Sequence, residues 1–510
     1  ETGAAEPGTQ AGPAAVEPFP VANGRFTVTL PPWTAVVYQC QEAGGEGYPR
    51  CAGILLHPAS LPGRTGRERL QAARRWIDFL AAAGQSVWQI LPLNPPGPGD
   101  SPYLSVSAFA GSGDLFDDGR LVEEAAFAAF CEKGRYWLDD YALFCALKDK
   151  FGGRPWQEWP APLRRRDAAA LRRYTDALAG AIRAAKERQF RFRRAWQDLR
   201  AYAGERGVRI FGDMPIFVAT DSADCWAHQE YFYLDGEGYP TEIAGVPPDY
   251  FSERGQVWGN PQYRWDVMAR DGWQWWVERF RALAELADLV RVDHFRGFAA
   301  TWAVDAVSQD ARQGHWTPGP GKALFEAVRR AVPQLQLVAE DLGVITDDVI
   351  ALRDAFHLPG MRILQFHLVT RSDGQTAFDT EPDCVAYTGT HDNNTLCGWW
   401  TEELDDAARQ RVAALAGLPP DAPAAERNRR LIAHLYSRRA RLVVVPLQDL
   451  LALPAACRMN RPGTATGNWH WQLDTAALTP ELGAWLRNLG AATGRIPAQV
   501  RTPRTPEKGL

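Results

Sequence analysis

The sequence predicts an α/β fold of the (β/α)8 barrel type, a TIM barrel with large helical and loop insertions over its C-terminal face. Three observations predict it. Short apolar, β-branched runs recur between longer amphipathic stretches, the pattern of a parallel sheet buried on both faces. Eight such runs can be read, enough to close a sheet on itself. At 510 residues the chain also exceeds the roughly 250 of a plain barrel, and the excess collects in two intervals.

The eight runs lie at 52–57 (AGILLH), 87–93 (VWQILPL), 208–218 (VRIFGDMPIFV), 287–293 (ADLVRVD), 335–340 (LQLVAE), 362–367 (RILQFH), 384–389 (CVAYTG) and 441–447 (RLVVVPL). Between them, Arg67–Ala83 carries Leu70, Trp76, Ile77 and Leu80 on one stripe, and Asp271–Ala287 reads the same way, as outer-ring helices do. The interval 94–207 holds at least three helical patterns, including an Arg-rich one over 163–201, and 219–286 reads as a loop-rich segment before a helix. Both are assigned as insertions in a catalytic barrel spanning 46–505. Upstream, residues 1–23 are rich in Ala, Gly and Pro and read as a disordered extension. Residues 24–45 alternate like a short β-type segment.

Composition narrows the class. Hydrophobic residues at 46% and charged ones at 23% are those of a soluble globular protein. A net charge of −5 offers no attraction to nucleic acid or to an anionic membrane. No apolar run approaches the roughly 18 residues of a membrane span, and no secretory signal pattern opens the chain, so a cytoplasmic protein is expected. The eight cysteines are scattered without a C-x-x-C pair and are expected as free thiols. The 20 tryptophans suit either a Trp-rich core or platforms for the apolar faces of sugar rings.

Barrel enzymes keep their chemistry at the C-terminal ends of their strands. Three predicted strands end there in acids: Val292-Asp293-His294, Ala339-Glu340-Asp341 and Thr390-His391-Asp392-Asn393. A carboxylate leaving an apolar strand must be paired, desolvated or used. Glycoside chemistry divides the labour: a retaining enzyme needs one ionised carboxylate as nucleophile and one protonated carboxyl as acid/base. Arg291, two residues before Asp293, shares its side of the strand and can hold that carboxylate ionised. Glu340 is then the proton carrier, while His391 and Asp392 can grip hydroxyls and stabilise charge at the anomeric carbon. A barrel-floor salt bridge is the competing account of Arg291 and Asp293.

The segments LVRVDHFRGF (289–298), AEDLGVITDDV (339–349) and YTGTHDNNT (387–395) resemble the signatures of the amylomaltases, also called disproportionating enzymes or 4-α-glucanotransferases, distant relatives of the α-amylases. Further similar stretches are WLDDYALFCALK (137–148), GDMPIFVATDSADCW (212–226), GVPPDYFSERGQVWGNPQY (245–263), LPGMRILQF (358–366), VVPLQDLLAL (444–453) and RMNRPGTATGNWHW (458–471). The resemblance runs from about residue 52 to 490. It implies Asp293 as nucleophile, Glu340 as acid/base and Asp392 as transition-state stabiliser. It further implies Asp213, Arg291, His391 and Asn460 as sugar contacts, Tyr103 on the donor side, and Tyr250, Phe251 and Trp258 on the acceptor side. Maltooligosaccharides and α-1,4-glucans are the implied partners, of a monomer or small homo-oligomer that needs no metal or organic cofactor.

Three segments depart from the family pattern: Arg64–Leu70, which is basic and apparently one residue shorter; Leu104, where an amide is usual; and His367–Val369, where the family usually has Ala-Phe-Asp, followed by the loss of a Pro-His-Asn-Tyr segment before strand seven. Two other functions use the same residues differently: hydrolysis, with water as acceptor, and glucan binding without catalysis on a decayed barrel. The acceptor loop separates transfer from hydrolysis. Stacking of Tyr250 and Phe251 on a glucose ring should contribute on the order of 1 kcal/mol and favour sugar over water as acceptor. Replacing both with Ala should therefore raise the fraction of intermediates captured by water; the ratio of transfer to hydrolysis on maltotriose, beside a melting curve, measures it, and an unchanged ratio excludes the assignment.

Overall fold

The computed structural model describes residues 50–248, 253–370, 376–419, 421–464 and 466–496. The upstream segments 1–23 and 24–45, and the pair Tyr250 and Phe251, lie outside the described residues. Eight parallel strands form the central sheet: β1 (Cys51–Leu55), β2 (Val87–Gln89), β3 (Arg209–Met214), β4 (Leu289–Val292), β5 (Gln336–Ala339), β6 (Gly360–Ile363), β7 (Cys384–Tyr387) and β8 (Leu442–Pro446). The ladder runs β6-β7-β8-β1-β2-β3-β4-β5, each strand beside its sequence neighbour, with β8 returning to β1.

Alternation along each strand sorts the side chains into two layers. Cys51, Leu55, Val87, Phe211, Leu289, Val338, Met361, Val385, Leu442 and Val444 fill the barrel interior. Ala52, Ile54, Trp88, Ile210, Val290, Val292, Ala339, Ala386, Val443 and Val445 face the helices. β1 and β2 approach closely at Gly53, where a Cβ would come within 2.3 Å of the Val87 carbonyl oxygen. The first outer helix, Gly66–Ala82, starts at a capping box made by Thr65 and Glu68 and buries Ala72, Ala73, Trp76, Ile77 and Leu80.

Between β5 and β6 the ladder gives way to a seam. One backbone bond crosses it, Ala339 N–H to Pro359 O at 2.8 Å. The buried carboxylate of Asp341 completes the join: it accepts from Met361 N–H at 2.7 Å and from Arg353 Nη1 at 2.7 Å, with Arg362 Nη1 at 3.5 Å. The contact is close enough that a Cβ on Gly360 would lie 2.3 Å from Asp341 Oδ2.

The structure shifts several elements from their predicted places. The sixth strand begins at Gly360 and ends at Ile363, because Leu364 onward turns away: Phe366 N–H donates to Ile363 O at 3.0 Å, and His367 Nδ1 lies 3.1 Å from Ile363 N. The Arg-rich helix is broken into Ala161–Arg164, Ala168–Ala177 and Ala179–Glu205, with Asp167 capping the second piece through Ala169 and Ala170. The loop-rich interval contains two strands, Glu242–Val246 and Gln256–Pro261, which join Ala300–Asp305 and His315–Pro318 in an antiparallel sheet of four. Its pairing spans some 60 residues of sequence, so local periodicity carried no sign of it.

The tryptophans fall mostly to the core account. Trp76, Trp88, Trp156, Trp159, Trp196, Trp226 and Trp276 are among the largest fully buried side chains. Trp88 on β2 meets Trp196 of the long insertion helix at 6.4 Å between rings. Of these buried indole N–H groups, Trp88 donates to Leu56 O at 2.7 Å, Trp196 to Leu286 O at 2.8 Å and Trp226 to Leu163 O at 3.0 Å, while those of Trp76 and Trp276 have no partner among the described residues. Among the described residues, no helix is long and apolar enough to cross a membrane.

Asp341→Ala should destabilise the protein by roughly 3 kcal/mol, since it strips a buried acceptor from one amide and two guanidiniums at the seam. Denaturant unfolding of the purified variant measures this, and Asp341→Asn, which keeps an acceptor for Met361, should lose less.

Candidate active site

At the C-terminal mouth the inward-facing positions turn from apolar to charged. Phe211 is followed two residues on by Asp213, and Leu289 by Arg291, and the register places Asp213 directly beside Arg291 across the β3–β4 pair. Arg291 Nη1 lies 2.9 Å from Asp213 Oδ1 and 3.0 Å from Asp213 Oδ2. The same nitrogen lies 2.9 Å from Asp293 Oδ1. Asp213 is fully buried; burial pushes its carboxyl above the usual range, against the pull of Arg291. Tyr103, on the turn Pro102–Leu104 after β2, donates its hydroxyl to Asp213 Oδ2 at 2.6 Å.

Asp293 and Glu340 occupy equivalent places, one residue beyond β4 and β5. Each still contributes a rung to the ladder: Asp293 N–H donates to Met214 O at 3.0 Å and Glu340 N–H to Val292 O at 3.0 Å. Their environments then diverge. Asp293 keeps 24% of its side chain exposed and faces the guanidinium. Glu340 is buried and accepts two main-chain N–H groups, from His294 at 2.7 Å and Leu342 at 3.1 Å. Burial raises the Glu340 carboxyl to about 8; Arg291 opposes this and Asp293 reinforces it. His294 delivers its N–H from a left-handed backbone at φ 45° and ψ 53°, a conformation a residue with a Cβ adopts at some cost.

The third carboxylate stands on the loop after β7. Asn393 Oδ1 accepts from Thr390 N and Oγ1, both at 2.9 Å, and Thr390 Oγ1 accepts from Asp392 N at 3.2 Å, so the turn is held by its own side chains. Beneath it buried Asp449, its carboxyl raised to about 6 by desolvation, accepts from Thr388 Oγ1 at 2.6 Å and Leu396 N at 2.7 Å. Asp392 Oδ1 accepts from Asn460 Nδ2 at 2.6 Å, and its Oδ2 lies 3.3 Å from His391 Nε2. The His391 ring stacks on Tyr103 at 5.2 Å and 11°, and Trp469 leans against both, at 5.8 Å from each.

The structure thus brings Asp213, Arg291, Asp293, Glu340, Tyr103, His391, Asp392 and Asn460 into one linked constellation. Trp258 stands to one side, half-buried, its ring edge-on to His294 at 4.8 Å and 85°. Of the departures, Arg69 donates to Asp114 O at 2.6 Å and Gly63 O at 3.0 Å, and with Arg64, Asp100, Asp114 and Trp469 lines an open cavity of about 520 Å³ beside Tyr103's turn.

Several residues around the site escaped sequence reasoning. Trp469 and Arg458 lie in the matching stretch 458–471, yet no periodicity marks either. His57, just past β1, is buried with an unpartnered Nδ1, and burial and the nearby His391 push its imidazole down to about 3. Its strand-end position was the available signal. Among the described residues there is no cluster of His, Cys, Asp or Glu that could hold a metal ion.

Three carboxyls of unlike environment, an interior arginine and aromatic rings at the mouth of a (β/α)8 barrel define a barrel enzyme built for carbohydrate chemistry. Comparison with known proteins specifies it further. The 4-alpha-glucanotransferase family model matches residues 56–119 and 114–478. The 4-alpha-glucanotransferase of Thermus thermophilus is 44% identical over 88% of this chain and 99% of its own, and that of Synechocystis is 41% identical over 88% and 98%. The amylomaltase of Streptococcus agalactiae, solved in complex with acarbose, superposes with a TM-score of 0.81 at 32% identity, covering 88% of this chain and 99% of its own. The chain belongs to the 4-alpha-glucanotransferase family, and it is a glycosyl-transferring enzyme of that family.

Proposed function

We propose that the enzyme moves α-1,4-glucan chains by a retaining, two-step exchange at Asp293. Asp293 attacks the anomeric carbon, its new C–O bond replacing the bond to the departing glucan oxygen, to which Glu340 delivers its proton. The product of this half is a glucosyl ester of Asp293 and a free glucan with a 4-hydroxyl. In the second half Glu340, now a carboxylate, takes the proton of an incoming 4-hydroxyl as that oxygen displaces Asp293. The linkage re-forms with its α configuration.

One observation carries this reading: two carboxyls on adjacent strand ends have opposed surroundings. A guanidinium sits 2.9 Å from Asp293, while burial keeps Glu340 protonated up to about pH 8. Such a pair supports Asp293 as nucleophile and Glu340 as acid. Asp392, within reach of His391, is suited to the charge that develops on the sugar ring. Tyr103 and Trp469 support stacking of a donor-side sugar, and Trp258 supports an acceptor-side one. Tyr250 and Phe251 belong to that acceptor side by their sequence. The cytoplasm is the compartment this reading takes: the described cysteines are all free.

Maltotriose separates transfer from hydrolysis: a ladder of longer oligomers with glucose is expected, and glucose and maltose alone would show water to be the acceptor. Asp293→Asn and Glu340→Gln should each fold and lose roughly 10⁴-fold or more in kcat, since each removes the working of the whole unit. Retention of more than about a tenth of the rate by either variant would overturn its assignment. The pH profile has a definite sign. Glu340 must be protonated to start the cycle, and its raised carboxyl loses the proton as pH climbs through about 8. The value of kcat/KM should therefore fall on that alkaline side and hold level just below it.

A further inference from the structure

Asp392 is reached by a segment far along the chain, and the way that segment is tied down singles out one side chain. The loop after β8 doubles back so that Asn460 N–H donates to His391 O at 3.1 Å, laying 458–460 along the β7 loop. Arg458 then spans the two strands of this crossing. Its Nη2 donates to the main-chain carbonyl of Asp392, and its Nε donates to the carbonyl of Asn460 at 2.6 Å. Asn460 in turn holds the Asp392 carboxylate through Nδ2 at 2.6 Å. One guanidinium therefore sets both ends of the Asn460–Asp392 contact: the backbone that carries the acid and the backbone that carries the amide.

Geometry explains why this matters. Asp392 is 42% exposed on its side chain and follows no strand residue directly. Its turn is held locally by Thr390 and Asn393, which fix the main chain but leave the carboxylate free to rotate. Asn460 stops that rotation, provided it stays opposite. A guanidinium holds its donors in a rigid planar fork, whereas the donors of an ammonium rotate at the end of a flexible stem, so the fork is the better spacer between two carbonyls. The other charges around Arg458 are Glu402 and Glu403 on the Trp399–Glu403 turn, and Arg461. Glu402 and Glu403 are engaged by Asn394 Nδ2, at 3.2 Å and 2.9 Å.

We propose that Arg458 is a positioning residue for the transfer reaction, locking Asp392 in the orientation that meets the charged sugar. This rests on the reading of Asp392 as the transition-state stabiliser. A stabiliser displaced by an ångström or so costs about 10²-fold in rate. Arg458→Ala should accordingly lose about 100-fold in kcat on maltotriose with little change in KM, because the contact matters in the transition state more than in the ground state. Melting temperature should stay close to that of the parent. Guanidine hydrochloride at non-denaturing concentration should restore part of the Arg458→Ala rate, and Arg458→Lys should remain nearly as slow as Arg458→Ala. Asp392→Ala and the double variant complete the test, the double being no slower than Asp392→Ala alone. If Asp392→Ala is inactive while Arg458→Ala keeps parental kcat, the inference falls and the site reading stands. If Asp392→Ala itself keeps parental kcat, the site reading falls and the inference with it. A large drop in melting temperature with no rescue by guanidine would show Arg458 to be structural only.

Discussion

A guanidinium taken out of water needs acceptors for its charge, and in this barrel Arg291 is met by two carboxylates. Asp213 faces it across the strand pair, fully desolvated, and Asp293 approaches from the end of the same strand. Much of the mouth is arranged around that ion. Tyr103 is drawn inward to satisfy the second oxygen of Asp213, which brings its ring under His391, which in turn presents Nε2 to Asp392. Glu340 stands one strand further on, shielded by burial and by two main-chain amides. Burial of Glu340 thus sets apart two carboxyls that stand at equivalent strand ends.

The barrel and its charged mouth were legible in the sequence because both depend on short-range pattern. Eight apolar runs had the length and composition of buried strands, and each overlaps an observed strand, the second and third running four residues past the end of theirs. The sixth strand begins two residues and ends four residues before its run, since its end is decided by a turn through Ile363 and His367 rather than by hydrophobicity. Asp293 and Arg291 could be placed on one side of a strand by simple alternation. What pattern cannot carry is pairing at a distance. The antiparallel sheet of 242–246, 256–261, 300–305 and 315–318 is assembled from segments on either side of β4. Asn460's hold on Asp392 joins residues 68 apart in sequence. Asp341 looked like one more strand-end acid, yet its side chain turns outward and works on the seam.

That outward turn illustrates how the fold uses neighbouring carboxylates. Glu340 and Asp341 leave the same strand on opposite faces, as successive residues must. One carries the proton of the proposed cycle, and the other joins β5 to β6 where the ladder has a single backbone bond to offer. Glu340 thus stands on a strand joined to β6 by one backbone bond. Loops anchored from below complete the frame: buried Asp449 grips the start and end of the turn that carries His391 and Asp392.

The aromatic layer between barrel and insertion has an optical consequence. Trp76, Trp88, Trp156, Trp159, Trp196, Trp226 and Trp276 are sealed from solvent, whereas Trp258 and Trp469 border the site. Indole emission from this protein is therefore a signal of its interior. Loss of the shared layer on unfolding moves most of the fluorophores at once, and quenching by a small polar solute reaches them poorly while the protein is folded. Against that background the two rings that border the site are a small share of the signal, so difference spectra, rather than total intensity, are where a change at the mouth becomes visible.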